Sequence, residues 1–381
     1  MKVLYVAGRW DPRVQDEYSG NDYGAYNAIA KQPGVDLSLV GPLAFPSNSI
    51  ERALTKVYRI ISGKRLIKYS LTYPRKSSLV INEALLQIQP DVVFSKYSAP
   101  LAQVELEGPF VYMCDSIIPF SKDLANEFSK PAYRIMEKWE RNVIQKATRV
   151  ITYSQACANL IISEYDTPAE KVIVMPIPAF VPQQLQISET TDNVELKAPL
   201  RLLFIGKRER LRGVDIAIQT VKKLNEEGIA AELRIVGLSG SSDGMVRYVG
   251  VYNKEDTQAL KNYFGNFLWA HLLLHPSRFH AAGIVISEAA AFGIPTITNS
   301  VGGLATTVLH EKTGLVLPAN SPASEYCKAI KSLMHEPDRY LYFRRNARQR
   351  FTEELDWQVA GQKLFEIVRQ AALTNSKQVL N

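Results

Sequence analysis

The sequence predicts an α/β protein of two similar halves, each a parallel sheet with crossover helices, on either side of a central cleft. Three observations carry this. At 381 residues the chain is too long for one compact core. Short β-branched runs alternate with longer helical patterns, the rhythm of parallel strands and their crossovers. That rhythm breaks once, between Pro176 and Pro199, in a proline-rich polar stretch where Gln183, Gln184, Ser188, Glu189, Thr190, Thr191, Asp192 and Asn193 offer nothing to bury.

The first half places strands at 3–6, 35–40, 92–94, 110–113, 150–153 and 172–175. The second places them at 202–205, 233–236, 246–249, 272–274, 296–298 and 315–317. The expected domains are therefore 1–183 and 200–355, joined by a linker at 184–199 and followed by a terminal segment at 356–381. No short-period repeat or low-complexity block interrupts them. Small ligands usually bind where domains meet, so the crevice between the halves is the expected site.

Composition narrows the class. The formal charge is +7, and three cysteines without a C-x-x-C pair leave neither a disulfide framework nor a thiolate zinc site, which fits a reduced, cytoplasmic compartment. The apolar start at 1–8 is too short for a signal peptide and runs into Arg9 and Asp11; no stretch approaches the ~18 apolar residues of a membrane span. The basic excess concentrates in 50–76, where Arg52, Lys56, Arg59, Lys64, Arg65, Lys68, Arg75 and Lys76 face one acid, Glu51. Interleaved Leu54, Val57, Tyr58, Ile60 and Ile61 could give a helix one apolar and one cationic face. Such a helix either packs into its own domain with a solvated basic side or rests on anionic lipid at the inner face of a membrane. Nucleic acid is not expected, because no recognition signature accompanies the patch.

Two loops in the second half are built to meet an anion. Gly206-Lys207-Arg208-Glu209-Arg210-Leu211-Arg212-Gly213 follows an expected strand and opens a helix at 214–227; its glycines admit close backbone approach, and the helix start adds unpaired N–H groups to four cations. A diphosphate is the natural guest, although neither a P-loop nor a G-x-G-x-x-G is present. The second loop follows the strand at 272–274: His280 lies in it, Gly283 permits a tight approach, and an alanine-rich helix carries Glu288 eight residues after His280. Amides near Gly283 and Ile284 would again face an anion. Glu288, among Ile286 and Ala289 to Ala291, is costly to bury without a partner, and a ribose diol would supply two donors.

His271, His275 and His280 invite a metal reading, but the first two bracket one buried strand, so no metal site is expected, and the chain has no D-x-D. In the first half, Tyr18-Ser19-Gly20-Asn21-Asp22-Tyr23 opens a helix near Gly24 whose amides could meet phosphate or acceptor. Asp115 ends the run at 110–113, a position where α/β active sites are found and where a helix cap is the plainer role.

These residues resemble glycosyltransferase family 4, of GT-B fold: two Rossmann-like domains facing a cleft. The resemblance covers nearly the whole chain and is clearest over 200–318. It implies transfer of a sugar from a nucleotide diphosphate sugar, with retention at the anomeric carbon and without a metal or other cofactor. It places Arg212, before Gly213, and Lys207 on the donor diphosphate. The family's E-x7-E motif falls on His280 and Glu288, with position 280 facing the donor sugar and Glu288 on the ribose; Ser19, Gly20, Gly206, Ala282, Gly283, Ile284 and Val285 would line the donor. Trp357 falls where members cross back to the first domain. His280 stands where the motif's first Glu is expected and brings no carboxylate toward a developing positive charge.

The expected mechanism stabilises the leaving nucleoside diphosphate with Lys207, Arg212 and loop amides, with Asp115 orienting a carbohydrate or lipid-linked acceptor hydroxyl. The departure at His280 leaves a rival, a catalytically degenerate nucleotide-sugar-binding partner of another transferase. A nucleotide-sugar epimerase is a further alternative.

Overall fold

A computed structural model describes the chain except residues 16–19, 46, 48, 67–71, 121–126, 186–193 and 379–381. The chain divides into two units, Met1–Met175 with Gly361–Asn381, and Pro176–Ala360.

The first unit holds β1 (Lys2–Val6), β2 (Asp36–Val40), β3 (Val92–Ser95), β4 (Phe110–Cys114), β5 (Arg149–Thr152) and β6 (Val172–Val174), in the order β2-β1-β3-β4-β5-β6. The second holds β7 (Leu200–Ile205), β8 (Ala231–Val236), β9 (Val246–Gly250), β10 (Leu272–His275), β11 (Thr296–Asn299) and β12 (Gly314–Leu317), ordered β12-β11-β10-β7-β8-β9. Every pairing is parallel. All twelve expected strands are present. They were readable because each parallel sheet is covered on both faces: Leu202 and Phe204 belong to one core of the second unit, Leu203 and Ile205 to the other. Alternate residues are thus equally apolar and the strand reads as a continuous run. Each such side chain contributes about 1.5–3 kcal/mol by leaving water.

Each sheet has one place where the winding direction reverses. In the second it lies between β7 and β10, which pair through Leu202↔Leu272 and Leu203↔Leu273; in the first it lies between β1 and β3. The loops that follow those strands diverge, and the crevice between them is where open α/β sheets bind ligands.

The domain boundary differs from the sequence expectation. Residues 176–183 group with the second unit: Ala179 and Val181 are buried in its core, and the Ala179 amide donates to Leu355 O at 2.8 Å. Prolines 176, 178 and 182 keep this segment out of a strand without preventing burial of the apolar residues between them. Most of the expected linker, 186–193, lies outside the described residues. The helix Trp357–Gln378 contributes Trp357–Ala360 to the second unit and continues in the first, where Leu364, Val368 and Ala371 are buried. Among the described residues, no helix is long and apolar enough to cross a membrane.

Candidate active site

The loop after β7 makes one helical turn, Glu209–Arg212, and stops at Gly213 before the helix Val214–Glu226. Gly213 has φ +72°, and a Cβ there would stand 2.0 Å from Pro276 O. Only glycine lets this loop close on the loop after β10. Arg212 crosses the gap: its stem lies against Gly206 and Nη1 donates to Phe279 O. Arg278 returns the contact through its amide to Leu211 O at 2.9 Å, and its guanidinium is neutralised by Asp215 at 2.6 and 2.8 Å. Arg212 has no such relief. Among the described residues no carboxylate pairs with it or with the exposed Lys207. Burial, then the charge of Arg208, pulls the Arg212 guanidinium down to about 10, so it remains a cation at neutral pH, half-buried and without a counter-charge.

In the loop after β10, His275 is fully buried and its Nε2 lies 2.7 Å from Nδ1 of His280 and 3.1 Å from Ser277 Oγ. Burial and then Arg212 push the His275 imidazole down to about 3. Burial, His275 and Arg212 push His280 well below its ordinary range, so both rings are neutral. The proton positions follow from the partners. Nδ1 of His275 is buried with no partner, and a buried lone pair is cheaper to orphan than a buried N–H. His275 therefore carries its proton on Nε2 and donates to Nδ1 of His280, whose own proton sits on Nε2. The loop is clamped from behind: Gly303 N donates to His280 O at 3.0 Å, and Gly302 sits at φ +55°, where a Cβ would fall 2.0 Å from that oxygen. His271 is at the other end of β10, accepting from Arg201 Nε at 3.0 Å. Among the described residues no group of three His, Cys, Asp or Glu could hold a metal ion.

Gly283, at φ +79°, opens the helix Ile284–Ala290, so the Ile284 and Val285 amides belong to a first turn with no intrahelical acceptor. Ala282 is buried and its carbonyl accepts from Thr307 Oγ1 at 2.6 Å. Glu288 is buried rather than exposed, and protein groups hold it: Lys254 Nζ at 2.7 Å on Oε1 and Tyr263 OH at 2.5 Å on Oε2. A carboxylate offers about four acceptor positions, so two remain for a ligand. Lys254 also sits 4.1 Å over the Tyr263 ring. Neither partner was identified from sequence. The only signal was the cost of burying Glu288 alone, which names a requirement and not a residue.

In the first unit, Gly20 adopts φ +74° at the start of the helix Asn21–Ala30, and Ser19 lies outside the described residues. The next two side chains turn inward. Asp22 pairs with Lys96 at 3.0 Å, both buried, and accepts from Tyr97 OH; Asn21 Oδ1 accepts from Tyr153 OH at 2.5 Å. Half-buried Asp115, just past β4, acts on the same group. Burial pulls the Lys96 ammonium down, but Tyr153, Asp22 and Asp115 together hold it above its ordinary value. Lys96 is a further residue that sequence reasoning missed.

Comparisons with known proteins bear on the fold and the family. A family model described as glycosyl transferases group 1 matches residues 188–350, and one described as Glycosyltransferase Family 4 matches 28–178. The chain is 26% identical over 316 residues to the D-inositol 3-phosphate glycosyltransferase of Arthrobacter sp. (strain FB24), covering 74% of this chain and 72% of that protein. Among solved structures, sucrose-phosphate synthase from Thermosynechococcus elongatus superposes with a TM-score of 0.68 at 17% identity, covering 97% of this chain and 98% of that one. Anabaena HepE, solved in complex with UDP-glucose, gives 0.63 at 17% identity, covering 97% and 100%. With a family model on each of its two units and neighbours of GT-B fold over almost its whole length, the chain belongs to the glycosyltransferases, a family 4 domain followed by a group 1 domain.

Proposed function

We propose that the protein transfers a sugar, with retention, from a nucleoside diphosphate sugar to a hydroxyl of a carbohydrate or lipid-linked acceptor. The observation that carries this is the cation without a counter-charge: Arg212 is held half-buried in the loop after β7, bonded to Phe279 O of the loop after β10, and no carboxylate among the described residues pairs with it. An anion that arrives there gains charge-assisted hydrogen bonds from groups already ordered. As the bond to the sugar breaks, charge grows on the diphosphate, and Arg212 and Lys207 supply the neutralisation without a metal ion. Glu288, fixed by Lys254 and Tyr263, accepts from the ribose diol with its remaining positions. His280 presents an N–H to the donor sugar, and Asp115 orients the acceptor hydroxyl from the first unit.

A thermal-shift screen with nucleoside diphosphates and nucleotide sugars tests this, because a ligand selective for the folded state raises the melting temperature. Donor hydrolysis and transfer are measured alongside. Silence with every nucleotide removes the site. A degenerate, binding-only protein is the second reading, favoured by the neutral His280 in place of a carboxylate; it predicts nucleotide binding with no hydrolysis or transfer from any donor.

A further inference from the structure

The helix Ser49–Ser62 contains no buried residue. Its large apolar side chains stand in solvent: Ile50 is 73% exposed, Leu54 55%, Val57 53%, Ile60 76% and Ile61 79%. They do not lie at random. At about 100° per residue, Ile50, Leu54, Val57 and Ile61 fall on one line along the helix, and Ile60, Ala53 and Tyr58 widen it to an arc of about 160°. Lys56 lies on the flank of that arc, with Arg52 and Arg59 behind it, and no carboxylate among the described residues pairs with any of the three. Lys64, Arg65, Arg75 and Lys76 follow within the same segment, against the single acid Glu51. A basic face that packed into its own domain would bury the apolar side, and here that side is open.

We infer that Ser49–Ser62 is an interfacial helix that lays its apolar arc into the headgroup region of a bilayer containing anionic phospholipid. The charge selects the occupant. An apolar stripe alone could seat a protein or a second copy, but two copies meeting through this helix would bring like-charged segments together, whereas a lipid surface of opposite charge offsets them. This is independent of the donor site. It implies that the enzyme works at a surface, where a lipid-linked acceptor would be held within reach.

The test is co-sedimentation of the full chain with vesicles of phosphatidylcholine alone and of phosphatidylcholine with about one third phosphatidylglycerol, at low and high salt. The expected result is binding to the anionic vesicles, little to the neutral ones, and weakening by salt. Arg52→Gln/Lys56→Gln/Arg59→Gln should bind on the order of 100-fold more weakly, at roughly fivefold per cation near the surface. Leu54→Ser/Ile61→Ser should lose more than about tenfold through apolar contact. Both variants should melt like the parent and keep its donor hydrolysis, since none of these side chains is buried and none belongs to the unit that carries the loops after β7 and β10. Absence of vesicle binding, equal binding to neutral vesicles, or unchanged binding by either variant overturns the inference. So does a dimer in sedimentation that Leu54→Ser/Ile61→Ser dissociates while vesicles compete for nothing.

Discussion

Arg212→Met separates a cation kept for a ligand from one kept for the fold. In the folded protein the guanidinium is pulled down from its ordinary value to about 10. At 1.36 kcal/mol per unit this corresponds to about 3 kcal/mol of burial cost, reduced to about 1–3 kcal/mol because solvent reaches part of the side chain. A base depressed on folding is penalised in full below its folded value of about 10 and relieved only as the pH rises toward its ordinary value, so titration near neutrality does not see it. Against this stands the charged hydrogen bond to Phe279 O, about 1.5–3 kcal/mol. Methionine keeps the aliphatic stem over Gly206 and removes both terms, which nearly cancel. The ligand-free variant should melt within about 4 °C of the parent. Ligand binding has no such cancellation. A nucleoside diphosphate at one hundred times its Kd adds about 2.7 kcal/mol to the parent. The variant should lose most of that shift at the same concentration, and kcat/KM should fall by at least about 100-fold. Differential scanning fluorimetry with and without the nucleoside diphosphate that most raises the parent's melting temperature, and steady-state transfer, read the two effects separately. A variant that unfolds more than about 10 °C early without ligand, or one that turns over normally, would refute the argument.

Three further outcomes follow from the same contacts. Lys254→Met leaves Glu288 buried with Tyr263 alone and should cost about 2–3 kcal/mol in urea unfolding, with Glu288→Gln added to it restoring more than half; strictly additive effects would mean the pair is not coupled. His275 and His280 are depressed on folding, so the unfolded chain binds more protons below about pH 6.5. Stability is full above that value and falls at up to about 1.4 kcal/mol per pH unit per ring on acidification, a slope that His275→Asn/His280→Gln should flatten between pH 6.5 and 5 in urea midpoints. Gly213→Ala and Gly228→Ala impose the same left-handed strain of about 1–2 kcal/mol, but only the first meets Pro276 O. It should cost about 2 kcal/mol more than the second and abolish nucleotide binding, and equal costs would show that the two loops can part.

The twelve strands and the two glycine-bearing loops after β7 and β10 were legible because their signals are local: a run of apolar residues, a glycine next to a cation. What was not legible is pairing at a distance. Lys254 and Tyr263 stand 34 and 25 residues before Glu288, and nothing in their own neighbourhoods marks them. His275 read as the end of a strand, which it is, and its role as the donor to His280 depends on how the loop folds back over five residues. The boundary near Met175 was misplaced because the prolines that follow suggest a solvated linker, while Ile177, Ala179 and Val181 between them are buried.

The two units also differ in a way that favours the second as the nucleotide's in the proposed function. Both sheets reverse beside their first strand, and both set a cation in the loop that follows an adjacent strand: Lys96 after β3, Arg212 after β7. In the first unit the cation is matched within the fold, since Asp22 lies 3.0 Å from Lys96, both side chains are buried, and the Asp115 charge acts on it as well. A diphosphate placed there would have to compete with carboxylates already desolvated, and would leave them unpaired if it won. In the second unit the Arg212 charge has been brought partly out of water and given only a carbonyl. On the proposed function, a dianion bound there would meet an uncompensated positive charge, and would gain more from it as negative charge grew on the leaving group. A charge held in this way costs the fold little because the carbonyl offsets its burial, yet it stays open to an anion, which is why the proposed donor site lies at the loops around Arg212.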